Sequence, residues 1–84
     1  MPGADRLLER AKRTKAGWRF RDLRRLYLGF GFQERQGAKH VLFIHPSHPH
    51  LVATVTRSRT LAMGYVDHAV TLIEELRRLE AGDG

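Results

Sequence analysis

The stretch "RQGAKHVLFIHPSHPHLVATVTR", residues 35–57, decides how the rest of the chain must be read. Two short runs of β-formers, "KHVLFIH" and "LVATVTR", flank a segment that contains Pro46 and Pro49. Proline has no N–H to give to a ladder, so residues 46–50 belong to a turn. Gly37 marks a second turn ahead of the first run, and "FQERQ", residues 32–36, reads as a further extended segment before it. Three successive strands joined by short turns pair as an antiparallel meander.

Side chains alternate between the two faces of a strand. In the first run Lys39, Val41, Phe43 and His45 point one way, and His40, Leu42 and Ile44 the other. If Val41 and Phe43 face the core, His40 lies on the open face. The opposite assignment buries His40 behind the sheet and exposes Phe43, so the first is the expectation.

Helices flank the strands. "WRFRDLRRLYLGFGF" repeats Phe20, Leu23, Leu26 or Tyr27, and Phe30 at spacings of three and four, with Arg21, Asp22, Arg24 and Arg25 turned outward. Gly29 and Gly31 end it, the second in the position that favours glycine after a helix. Tyr65, Val66, Ala69, Val70, Leu72, Ile73, Leu76 and Leu79 form the apolar face of a long final helix over about Ala62 to Glu80, after a turn and possible cap at "SRTL". Near the N-terminus, "ADRLLERAKR" predicts a short helix with Asp5 as N-cap and Leu7, Leu8 and Ala11 on one stripe. Trp18 reads as a core residue.

Two helical stripes must cover a surface, and one sheet face is available. The expected fold is α+β: an α-β-β-β-α sandwich of the double-stranded-RNA-binding-domain type. It has a three-stranded antiparallel sheet and a short N-terminal helical extension. Residues 1–17 read as a helical arm that frays when unbound, 18–80 as the domain, and 81–84 as a flexible tail.

Charge is distributed unevenly. The 84 residues carry 15 Lys and Arg against nine Asp and Glu, for a net +6, with no cysteine. Residues 1–25 contribute nine basic and three acidic residues, 26–60 four and one, and 61–84 two and five. A basic front and middle with an acidic back fits a face that meets a polyanion. The absence of cysteine removes disulfides and thiolate ligands, and no apolar run approaches a membrane span, so a cytoplasmic protein with no membrane partner is expected.

On the open face His40 is expected to have basic company to hold RNA phosphate: Arg35 just before the turn, Lys39 adjacent, and Arg57 and Arg59 at the end of the third strand. RNA carries its own nucleophile, the 2′-hydroxyl. Cutting it requires a group to move that proton, a donor for the leaving oxygen, and cations for the phosphorane charge. Imidazole, with an unperturbed pKa of about 6.5, suits the proton transfer, and Lys and Arg suit the charge. Such a site needs no metal or cofactor. His45, His48 and His50 invite a metal reading, but no Asp, Glu or Cys lies among them, and two prolines favour a polar loop. His68, beside Asp67, reads as solvated.

The chain resembles the HicA toxins of bacterial type II toxin–antitoxin systems over about residues 6–79. "FRDLRRLYLGFGF" is similar to the family's first helix, "GAKHVLFIHP" to its Gly-Ser-His signature and following strand, and "GYVDHAVTLIEEL" to its last helix. The resemblance implies the double-stranded-RNA-binding-domain fold and a metal-independent messenger-RNA endoribonuclease. It also implies His40 as the essential residue and a HicB-type antitoxin covering the active face. Ala38 and Lys39 stand where the family has Gly-Ser. The alternative function is an RNA-binding module on the same fold that does not cut, and a third is an interaction subunit with incidental charge.

Overall fold

The computed structural model describes residues 2–82, and its elements follow the expected order. They are α1 (Pro2–Arg13), α2 (Phe20–Gly29), β1 (Gln33–Gln36), β2 (His40–Ile44), β3 (Val52–Thr56) and α3 (Met63–Gly82). The strands form one antiparallel sheet in the order β1-β2-β3. Val41, Phe43, Ala53 and Val55 are buried, whereas His40 and Thr54 are exposed on the other face. The helices therefore cover one side of the sheet, and the alternation expected for β2 holds.

The end of α2 follows from its sequence. Gly31 adopts φ +90, and its N–H reaches the Leu28 carbonyl at 3.1 Å while the Phe32 N–H reaches that of Tyr27, also at 3.1 Å. This pair of bonds satisfies carbonyls that the helix leaves open. The rings of Tyr27 and Phe32 meet edge-on at 5.0 Å, closing the motif with an apolar contact. At the start of α2 the Asp22 carboxylate accepts the Arg19 N–H at 3.2 Å. Arginine has no acceptor to return the bond, so half of a capping box is made.

The N-terminal segment departs from expectation. It is not a frayed arm: Leu8 and Ala11 are fully buried, and α1 packs on α2 and α3. A Cβ at Gly29 would lie 2.6 Å from that of Ala4, so glycine there permits the close approach of the two helices. The helix also starts at Pro2, before Asp5, which sits in its first turn and is not the cap. Trp18 joins α1 to the rest. Its ring is wholly buried, its Nε1 donates to the Thr14 carbonyl at 2.8 Å, and the Arg10 guanidinium lies 4.5 Å from its centroid. Its own carbonyl accepts the Leu61 N–H at 2.8 Å, which fixes the chain as it enters α3.

Two boundaries shift at the other end. α3 starts at Met63, so "SRTL" is a turn and not its cap, and it continues through Ala81 and Gly82, so the expected tail is helical that far. Residues 83 and 84 lie outside the described residues. Among the described residues, no helix is long and apolar enough to cross a membrane.

Among the described residues, β1 and β3 are the edges of the sheet and their outer backbone groups have no strand partner. The His45 N–H donates to the Leu51 carbonyl at 3.1 Å. Carried along the β2–β3 register, this directs Ala53 and Val55 inward and the N–H and C=O groups of Val52, Thr54 and Thr56 to the outer edge.

Candidate nucleic-acid interface

His40 opens β2 and is exposed, directly after the Gly37–Lys39 turn. The Gly37 N–H donates to the His40 carbonyl at 2.9 Å, which closes the turn, and neither Ala38 nor Lys39 takes a positive φ. Arg35 pairs with Leu42, two residues along β2 from His40. Opposed residues share a face, so Arg35 and His40 stand on the open face as diagonal neighbours. Lys39 is exposed at the tip of the turn.

Arg57 and Arg59 do not join them there. Arg57 donates to the side chain of Gln36 and, at 3.4 Å, to the Gly37 carbonyl. Gln36 Nε2 in turn donates to Glu34 at 3.0 Å, and Glu34 accepts from Arg24 Nε at 2.8 Å. Glu34 and Gln36 oppose Phe43 and Val41, so this chain of four side chains runs along the helix-side margin of the sheet. It ties α2, β1 and the end of β3 to the turn that carries His40. Arg59 is exposed beyond β3, where Arg57, Ser58 and Arg59 meet Arg19, Phe20 and Arg21 around a shallow cleft of about 390 Å³. Nothing in the sequence marks Gln36 or Arg19 as participants, since their contacts depend on strand register and on how α2 seats against the sheet.

The open face is partly apolar. Leu42 and Ile44 are half-buried and Val52 is 37% exposed, bordered by Thr54 and Thr56. At the far end of the hairpin, His45 is buried on the helix side, with Nδ1 accepting the Ser47 N–H at 3.2 Å and its ring edge-on to Phe32 at 5.2 Å. The rings of His45 and His48 lie 5.3 Å apart and those of His48 and His50 6.3 Å apart. Among the described residues no group of three or more His, Cys, Asp or Glu is arranged to hold a metal ion. His68 is exposed on α3.

Comparison of the sequence with protein-family models and curated proteins, and of the fold with solved structures, returned no match.

Proposed function

We propose that the chain binds single-stranded RNA across the open face of its sheet and cuts it without a metal, as the toxin of a HicA-like toxin–antitoxin pair. The observation that carries this reading is the placement of His40. It is a solvent-facing imidazole on a braced turn, with Arg35 diagonal to it on the same face and Lys39 adjacent in the turn.

In this mechanism the imidazole takes the proton of a 2′-hydroxyl as that oxygen attacks the adjacent phosphorus. The bond from phosphorus to the 5′-oxygen breaks, and the departing oxygen takes a proton from water. Arg35 and Lys39 offset the charge that builds on the phosphorane. A HicB-type antitoxin would cover the same face, which gives the strip of Leu42, Ile44 and Val52 a partner.

A second reading is RNA binding without cleavage on the same fold. The position of the other imidazoles favours it: His45, His48 and His50 lie at the opposite end of the β2–β3 hairpin and His68 lies on α3, so none stands beside His40 as a second proton donor. One experiment separates the two readings. Pure protein is incubated with RNA in EDTA, beside His40→Ala. Cleavage by the parent alone supports the nuclease; intact RNA in both, with salt-dependent binding, supports the module.

A further inference from the structure

The cleft beside α2 has the composition of a nucleic-acid subsite in its own right. Two segments meet there: Arg19 to Arg21, which lead into and open α2, and Arg57 to Arg59 after β3. Among the described residues, none of Arg19, Arg21, Arg57 and Arg59 pairs with a carboxylate, although Arg24, Arg78 and Lys12 all do. The acidic group beside them, Asp22, is bonded to the Arg19 backbone. The positive end of the α2 dipole adds to the same field. Phe20 is half-buried, with its ring 6.2 Å from that of Phe43, so the core holds one side of it while its other margin borders the cleft.

We propose that this cleft is a second anchoring subsite for single-stranded RNA, with guanidinium groups on the phosphodiester backbone and a base against Phe20. The proposal rests on the RNA reading above and assigns Phe20, Arg19 and Arg21 a role in it. Aromatic surface combined with cations is the recurring means of holding single strands without regard to sequence. The subsite is also in reach of the reacting centre. His40 opposes Thr56 across the β2–β3 ladder, and Arg57 to Arg59 follow directly. A cross-strand step plus three residues of chain spans about 15 Å, a distance a few nucleotides cover. RNA leaving the open face at His40 would therefore pass over the end of β3 into the cleft. Its grip there would fix the register of the strand relative to the imidazole.

The test uses His40→Ala, which keeps the substrate whole, and labelled oligonucleotides of about four and about twelve nucleotides, near the limits of single-strand site sizes. Arg19→Gln with Arg21→Gln keeps the backbone N–H that Asp22 accepts. These two changes should weaken binding of the long oligonucleotide about tenfold and lower its log–log salt slope by about 1.4, two contacts' worth. Binding of the short one should stay unchanged. Arg59→Gln, on a different segment, should reproduce half of the slope change. Phe20→Leu, which keeps apolar bulk in the core, should weaken the long oligonucleotide with no change in slope.

Equal weakening of both lengths would mean a diffuse field and overturn the subsite, as would no weakening of either while the parent binds both. Displacement of the long oligonucleotide by inorganic phosphate at constant ionic strength would reassign the cleft to a free anion and also overturn it. If the parent binds neither oligonucleotide, the RNA reading itself fails and the subsite with it.

Discussion

Arg57 and Gln36 are bonded side chain to side chain, and through this contact the end of β3 holds the turn that presents His40. The sequence suggests a phosphate ligand at Arg57, and the structure adds a bracing contact at the same residue. The two roles separate experimentally. Gln36→Leu removes the brace and leaves every charge in place, so it should lower cleavage about tenfold and speed amide exchange at Lys39 and His40, because small misplacements of a reacting group are costly. The stability loss should stay below about 1 kcal/mol, as for other exposed polar contacts. Normal cleavage by Gln36→Leu together with a slow Arg57→Gln would return Arg57 to direct phosphate contact.

His40→Gln keeps the size and polarity of the side chain but cannot shuttle a proton. Cleavage should fall about 10²–10⁴-fold. RNA affinity and melting temperature should match the parent, since the side chain is exposed and on the face away from the core. A variant that cuts at the parental rate would remove His40 from the mechanism.

Leu8 lies in the segment that the sequence alone reads as an arm that frays when unbound, yet it is fully buried with Leu23, Leu26, Ile73 and Leu76. Leu8→Ala should cost about 2–5 kcal/mol in denaturant unfolding, the range for a core leucine. A free arm would show almost no change.

Tyr27 carries a buried hydroxyl with no hydrogen-bond partner among the described residues, and burial pushes its phenol well above the ordinary tyrosine range. The folded state therefore resists ionisation that the unfolded chain undergoes near pH 10, and stability should be full below that pH and fall as pH rises past it. Tyr27→Phe removes the orphan group. It should be neutral or stabilising by about 1 kcal/mol near pH 7, and it should flatten the alkaline decline. Unfolding curves between pH 7 and pH 11 measure both effects.

Residues whose neighbours lie close in sequence were legible. The "HVLFI" alternation places His40 outward, Gly31 ends α2, and the spacing from Tyr65 to Leu79 marks α3. Each of these rests on a local period or a local backbone requirement. What sequence did not reveal depends on register and helix seating. The position of Gln36 opposite Val41 sets the reach of Arg57, and nothing in "RQGAK" specifies it. Gly29 reads as a helix end, but its second role, admitting Ala4, appears only once α1 is docked. Asp5 is a good cap by residue type, but proline is tolerated in the first turn of a helix, and here the helix starts at Pro2.

The two margins of the sheet are guarded unequally. β1 carries Glu34 and Arg35, but β3, "VATVT", is uncharged, β-branched at four of its five positions and, among the described residues, without a strand partner along its outer edge. Such an edge is a template for a like strand. Net charge of +6 keeps copies apart in dilute buffer, but at 1 M salt the screening length shrinks to about 3 Å and that protection goes. Concentrated stocks held in strong salt to strip nucleic acid should therefore lose soluble protein through edge-to-edge association. Thr54→Lys, a charge at the middle of that edge, should restore colloidal stability without touching the core.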